Sequence, residues 1–551
     1  MVETIIKTII FDLDNTLHDA EFLTNRVVKK TIEVMITKGM NCNLEEGIEK
    51  FNQLLEKEPN NDKIRKLAAF FESEDEEIVN AGWDCYQNPE FNELLIYSDT
   101  NEVLGKLKGN YKLILVSQGS KDSQNKRIDA LGIRDYFEEI YLPERGEKKE
   151  VFEEIFSNLG LYANQILVVG DRIDGELKIA NELGMQTCRI SRGKYKILEP
   201  RFQNEEPDFT INTLRGLYGV LNLKNDKLKV VLIGGGTGTS SILEGMKKYT
   251  DDITVVVNVT DTGRSSGLIR KDFNILAPGD ARNCLIALSN SEQLLCDLFQ
   301  YRFKNGGLEG HSFGNLFIVA LADLTGSFEN AIEEVSKILE LKGRVLPSTF
   351  DNINICAELE DGTLLKEENT IIDRENNEVY NRSPIRKVFH NPIAKANEKA
   401  LKAIEEADLI VLSPGSLYTS IISNLLVEGI PEAIGRSRGK KVYVCNIMSQ
   451  VSQTYGYKAS DHIDKIKEYL KCDLDFVILN NKSPNEDLIE SYKMENAHLI
   501  ENDIDKIENS GISVIAEDFL DNVKEKKILW EKKNLLRHDP DKISEVLVGL
   551  V

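Results

Sequence analysis

The stretch "FDLDNTLHD" places two carboxylates, Asp12 and Asp14, two positions apart, with Thr16 two further on. Residues at that spacing share one side of an extended chain. One carboxylate of such a pair can attack a phosphoryl group while the other gives a proton to the departing oxygen. Three later stretches supply the rest of that chemistry. "LILVSQGS" offers the Ser117 hydroxyl, and Lys148 and Lys149 offer amines for phosphoryl oxygens. "ILVVGDRIDGE" offers Asp171, Asp174 and Glu176, hard oxygen ligands of the kind Mg2+ prefers.

A second group of residues lies downstream. "VVLIGGGTGTSSILEGM" reads as a buried strand, a turn formed by Gly234, Gly235, Gly236, Thr237 and Gly238, and a helix. Counted from Gly234, the dinucleotide spacing G-x-G-x-x-G meets Thr239 at its third glycine, and the Gly-Lys-Ser/Thr of an ordinary P-loop is absent. The turn still suits close approach of backbone N–H groups to a diphosphate. A side chain at Gly235 or Gly236 would stand between those groups and the phosphoryl oxygens. Asp261 ends the next apolar strand, roughly 20 residues on, where an acid can accept ribose hydroxyls. "DTGRSSG" adds Arg264, Ser265 and Ser266; "APGDARNCLIAL" adds Asp280, Arg282 and Asn283; "GHSFGNL" adds His311, Ser312 and Asn315. "LSPGS" places Pro414, Gly415 and Ser416 between a strand and a helix. Singly, Asp280 reads as a helix cap and the Pro-Gly-Ser run as turn chemistry. Together they point to an anionic ligand with hydroxyl groups.

The elements that must position these side chains alternate between strand and helix along nearly the whole chain, which calls for parallel sheets covered by helices. The apolar strands "TIIKTIIFDLD" and "YKLILVSQG" are separated by far more chain than the roughly 30 residues of a β-α-β unit. The excess, about residues 20–95, carries Leu, Glu and Lys at helical spacing and reads as a helical insertion. The charged run "KNDKLK" reads as a linker, after which Val230 begins a second alternation. "INICAELEDGTLLKEENTII" through "IRKVFHNP" reads instead as hairpins, an antiparallel patch.

The ordered set Asp12-x-Asp14, Ser117, lysine and Asp171 resembles the haloacid dehalogenase-like (HAD) hydrolase superfamily across about residues 4–223. The resemblance implies that Asp12 is the nucleophile and Asp14 the acid/base. It implies that Ser117 and Lys148, favoured over Lys149 by its distance from Phe152, bind phosphate. Mg2+ would be held by Asp12, the Asp14 carbonyl and Asp171. The presence of Asp14 favours a phosphatase acting on a small phosphorylated substrate over a dehalogenase. Gln118 stands where Asn is commoner in the family.

"GGGTGTS", "PGDARNCL", "GHSFGNL", "SPGSLYTSIISNLLVEGI" and "VYVCNIMSQ" resemble the gluconeogenesis-factor (YvcK-like) family, in the superfamily of the deazaflavin phospholactate transferase (CofD-like). This resemblance covers residues 229–551. It implies a nucleotide-sugar ligand of the UDP-N-acetylglucosamine type and a regulatory role in carbon metabolism and cell-envelope supply. The alternative is transfer of phospholactate from a nucleotide to a deazaflavin. Thr262 and Arg264 depart from the family's Asp-Asp-Gly-Gly-Ser-Ser-Gly, which weakens any metal site there. The expected fold is therefore α/β with two Rossmann-like domains. The first, 1–224, is a HAD fold with a helical cap; the second, 225–551, is a YvcK/CofD-like doubly wound sheet with a small antiparallel patch.

Composition bounds the partners. The 551 residues are 41% hydrophobic, enough for globular cores, and carry a net charge of −23. With no basic patch, nucleic acid is not an expected partner. No apolar run reaches the ~18 residues a membrane span needs. Eight cysteines without a C-x-x-C pair read as reduced core thiols. No signal peptide is expected, a cytoplasmic location follows by elimination, and a homodimer is compatible with these features.

Overall fold

The computed structural model describes residues 6–57, 63–87, 89, 94–144, 146–221, 223, 227–373, 383–494, 497–521 and 536–551. The chain divides into two compact units, 1–221 and 222–551. Of the expected linker, residues 224–226 lie outside the described residues.

The described residues of the first unit form six strands: β1 (Thr8–Phe11), β2 (Lys112–Val116), β3 (Glu139–Tyr141), β4 (Ile166–Gly170), β5 (Gln186–Ile190) and β6 (Phe209–Ile211). All pair in parallel, in the order β3-β2-β1-β4-β5-β6. Central strands of a parallel sheet are covered on both faces, so their sequences are unbroken apolar runs; "TIIF" and "ILVVG" are buried at every position. The strand order reverses direction between β1 and β4. Ligands of open parallel sheets sit at the carboxyl ends of strands at such a switch point.

Between β1 and β2 the chain leaves the sheet, and the described residues of this excursion form four helices, Ala20–Thr37, Leu44–Lys57, Lys63–Phe70 and Glu76–Gln87, before a fifth, Thr100–Leu107, leads back to β2. The first four enclose a core of their own, including Ile32, Met35, Phe51, Leu67 and Ile78. The helical insertion therefore folds as a cap with a separate apolar centre. Part of it, residues 58–62, 88 and 90–93, lies outside the described residues.

Among the described residues, the second unit carries ten strands. Seven form an all-parallel sheet: β7 (Val230–Gly234), β8 (Ile253–Val257), β9 (Arg344–Pro347), β13 (Leu409–Leu412), β14 (Lys440–Val444), β15 (Phe476–Asn480) and β16 (Ser513–Glu517). The order is β16-β15-β14-β13-β7-β8-β9, so its switch point falls between β7 and β13. The remaining three, β10 (Asn354–Leu359), β11 (Leu364–Lys366) and β12 (Ile385–Asn391), form the small antiparallel sheet expected from the hairpin pattern. Residues 374–382 of that region lie outside the described residues. All eight cysteines are free thiols. Among the described residues, no helix is long and apolar enough to cross a membrane.

Candidate functional site

In the first unit, β1 delivers Asp12 to the switch point, and its backbone N–H is held by Val169 O at 2.9 Å. β4 delivers Asp171, which is buried, one residue beyond the strand. Ser117, also buried, follows β2, and Lys148 opens the helix Lys148–Leu159. The Lys148 Nζ donates to Asp12 Oδ1 at 2.6 Å and to Glu176 Oε2 at 3.0 Å. Lys149 turns outward to Glu182, so of the two lysines it is Lys148 that lies against the carboxylates. Asp174 likewise faces outward, paired with Arg172, whereas Glu176 is 2% exposed.

Asp12, Asp171 and Glu176 each bring an oxygen within 4.8 Å of the others. Three buried carboxylates around one lysine leave negative charge uncompensated. Burial, then the Glu176 and Asp14 charges, push Asp12 up to about 7 against the pull of Lys148. Burial, then Asp12 and Glu176, push Asp171 up to about 8. A hard-oxygen set with surplus negative charge fits a small dication such as Mg2+.

Asp14 sits apart from that cluster. Its Oδ1 accepts from Arg127 and lies 3.0 Å from His18 Nε2. Burial pushes its carboxyl up, but the His18 and Arg127 contacts outweigh this and hold it well below the usual carboxylate range. Neither Arg127 nor His18 carries a local sequence signal for this role.

In the second unit, a cavity of about 390 Å3 has among its lining residues Asp261, Ser265, Ser266, Asp280, Arg282, Asn283 and Asn315, together with Arg302, Asn369, Ile372 and Asp373. Arg282 donates to Asn315 Oδ1 at 3.0 Å and to Asn283 Oδ1 at 2.7 Å. Asn315 in turn donates to Ser265 and Ser266, and His311 Nδ1 lies 3.3 Å from Ser265 Oγ. Burial, then the neighbouring Arg302 charge, lower Arg282 to about 10.

The amino-terminal stretch 6–184 matches the family model described as haloacid dehalogenase-like hydrolase, and 230–520 matches that of 2-phospho-L-lactate transferase CofD. A relative in Aquifex aeolicus is 44% identical over 332 residues, 59% of this chain and 97% of its own. The gluconeogenesis factor of Bacillus subtilis is 39% identical over 328 residues, covering 59% of this chain and 98% of its own. The chain belongs to the gluconeogenesis factor family. A crystal structure of a UPF0052-family protein from Bacillus halodurans aligns with a TM-score of 0.54 at 40% identity, over 59% of this chain and 99% of that one. The first unit is a HAD-like hydrolase joined to this gluconeogenesis-factor unit.

Within the gluconeogenesis-factor unit, the glycine turn departs from its expected use. The Gly236 N–H donates to Asp280 Oδ1 at 2.8 Å, so a carboxylate occupies an amide expected to face a phosphate. A Cβ at Gly235 would lie 2.1 Å from Asp280 Oδ2, and one at Gly238 would lie 2.1 Å from Pro414 O. Packing therefore demands these glycines before any ligand arrives. Gly236 itself has φ +71°, a left-handed conformation that β-branched residues avoid. The side chain of Arg264 lies outside the described ones. Pro414 and Gly415 pack on the glycine turn, and none of Pro414, Gly415 and Ser416 lines the cavity. Gly415 N donates to Asn446 Oδ1 and Ser416 Oγ to Gln453 Oε1, partners that sequence reasoning missed. It also missed Glu368, contributed by the short helix Glu368–Ile372, whose Oε2 accepts the Thr262 N–H. Burial, then Asp261 and Asp280, hold the Glu368 carboxyl well above its usual range. Glu368 thus restores a carboxylate close to where Thr262 replaces one.

Asp280 gives a pH test. Burial, then Asp261, push it up to about 7. A folded-state pKa above the unfolded value means that Asp280 favours folding below about 3.8, and that this contribution is lost as pH rises through about 7. The ligand-free unit is expected to melt lower at pH 8 than at pH 6. Asp280→Asn, which keeps Oδ1 as the acceptor for Gly236, is expected to recover about 1–2 kcal/mol at pH 8 and little at pH 5. Scanning calorimetry across that range checks it; an equal effect at both pH values counts against a raised Asp280.

Proposed function

We propose that the HAD-like unit hydrolyses a small phosphomonoester in a Mg2+-dependent reaction passing through phosphorylated Asp12. The observation that carries this reading is the meeting of Asp12, Lys148, Asp171 and Glu176 at the carboxyl ends of β1 and β4. The ion would be held by Asp12, Asp171 and Glu176, with the Asp14 carbonyl as the family resemblance implies. When bound, it supplies positive charge that lets a phosphate enter an acidic site. An Asp12 oxygen attacks phosphorus as the ester P–O bond breaks, and Asp14, a carboxylate beside Arg127 in the free site, gives the departing oxygen a proton that it has taken from the phosphate monoanion. Lys148 and Ser117 hold phosphoryl oxygens. Water then attacks the phosphoryl group, Asp14 takes its proton, the Asp12–phosphorus bond breaks and inorganic phosphate leaves. Hydrolysis of an aryl phosphate is expected to stop on chelation with EDTA and to return with added Mg2+. Turnover indifferent to the chelator would refute metal dependence.

For the gluconeogenesis-factor unit we infer binding of a uridine diphosphate sugar without turnover, in a regulatory role in carbon metabolism or envelope-precursor supply. Its support is the polar cavity, where Arg282, Asn283, Asn315, Ser265 and Ser266 offer donors to an anionic, hydroxyl-rich ligand. The description of the matching model as a phospholactate transferase favours a second reading, transfer to a deazaflavin. Among the described residues, no three acids of this unit gather their oxygens as closely as Asp12, Asp171 and Glu176 do, which favours the binder. Isothermal calorimetry on the whole protein separates the two. Saturable heat with a uridine diphosphate sugar supports the first, and binding only of a guanosine nucleotide with a deazaflavin supports the second.

A further inference from the structure

In the HAD-like unit, Arg127 and Gln124 lie on the helix Lys121–Leu131, directly after the loop that carries Ser117. Arg127 is only 8% exposed. Its Nη2 donates to Asp14 Oδ1 and lies 2.6 Å from His18 Nε2, while its Nη1 donates to Gln124 Oε1 at 3.1 Å. Gln124 Nε2 donates to Gln118 O at 3.0 Å. A continuous chain of hydrogen bonds therefore runs from the Ser117–Gly119 loop to Asp14. His18, fully buried, approaches the same Asp14 oxygen from the stem where the chain departs for the cap. Among the described residues, Oδ2 of Asp14 has no hydrogen-bond partner.

We propose that Arg127 is the positioning residue for Asp14: it pins Oδ1 so that Oδ2 is the oxygen that relays a proton to the leaving group. The inference rests on the reading of Asp14 as the acid of the hydrolase. A free carboxyl rotates about its terminal torsion, which is broad. An oxygen held from the phosphate-binding loop fixes the carboxyl plane and ties its aim to the loop that grips the phosphate. In the first step the Asp12–phosphorus bond forms as the ester P–O bond breaks, the proton that Oδ2 has taken from the phosphate monoanion moves to the departing oxygen to give the alcohol, and Asp14 returns to the carboxylate held by the Arg127 guanidinium. Gln118 then matters through its carbonyl, which anchors Gln124, while its own side chain turns to Glu144 O.

The test exploits the leaving group. A dinitrophenolate departs without a proton, whereas an alkoxide needs one. Arg127→Gln is expected to lower kcat/KM on an alkyl phosphomonoester at least about ten-fold further than on 2,4-dinitrophenyl phosphate. Gln124→Met, which leaves the Arg127–Asp14 pair in place but unsupported, is expected to show the same split at smaller size. It also serves if Arg127→Gln folds poorly. In Asp14→Asn the split should be largest, and adding Arg127→Gln to it should change it little. Equal falls on both esters for Arg127→Gln and Gln124→Met would make the role structural only and overturn the proposal. If Asp14→Asn itself showed no split, or the wild-type protein hydrolysed neither ester, the hydrolase reading would fail and this inference with it.

Discussion

Asp12→Asn is expected to lower phosphatase turnover by at least about three orders of magnitude while leaving the fold intact. No other group can take its place as nucleophile. Asp171 lies beyond the adjacent strand, Glu176 is held by Lys148 and by the Arg172 N–H, and Asp14 is held by Arg127. The structural cost should be small, because the substitution removes one negative charge from a buried cluster with too many. The amide oxygen can still accept from Lys148, which also keeps Glu176. Steady-state rates on an aryl phosphate, read beside a thermal melt, check both halves. Turnover near the wild-type level would exclude an aspartyl-phosphate at this position. A collapsed melt would instead mean that the Asp12 charge is needed to hold Lys148.

Gly238→Ala is expected to destabilise the gluconeogenesis-factor unit by roughly 3 kcal/mol or more. The added methyl would lie 2.1 Å from Pro414 O and 2.8 Å from its carbonyl carbon. These are backbone atoms of the loop after β13, and β13 is paired in register with β7 from Leu409↔Val230 to Leu412↔Ile233. Neither that loop nor the helix Gly236–Met246, which carries Gly238, can yield without disturbing the switch point of the sheet. Gly236→Val should also lower the melting temperature of the ligand-free protein, because Gly236 sits at φ +71°. A loss of ligand binding in that variant is therefore no clean sign of a phosphate contact. Arg282→Gln is the better probe of the cavity, since it removes charge without straining the turn. Melting curves of the glycine variants decide the matter: an unchanged transition for Gly238→Ala would mean that the loop and the helix part easily.

The amino-acid sequence by itself determined the strand–turn–helix units and what stands at their mouths. Periodicity of two against 3.6 is a local property, so Asp12 after "TIIF" and Asp171 after "ILVVG" were legible, as were the helical cap and the antiparallel patch. The site needed little more than the rule that parallel strands present their carboxyl ends together. Tertiary structure decided what depended on partners distant in sequence. The spacing from Phe152 already favours Lys148 over Lys149, but only the packing of their helix sends one to Asp12 and the other to Glu182. Arg127 lies 113 positions from Asp14 and Glu368 lies 106 from Thr262, and no local pattern announces either contact. The glycine turn shows the same division. Its residues announce close backbone approach, and the fold alone decides that the backbone approaches Asp280 and Pro414, because long-range strand pairing sets which loops face each other.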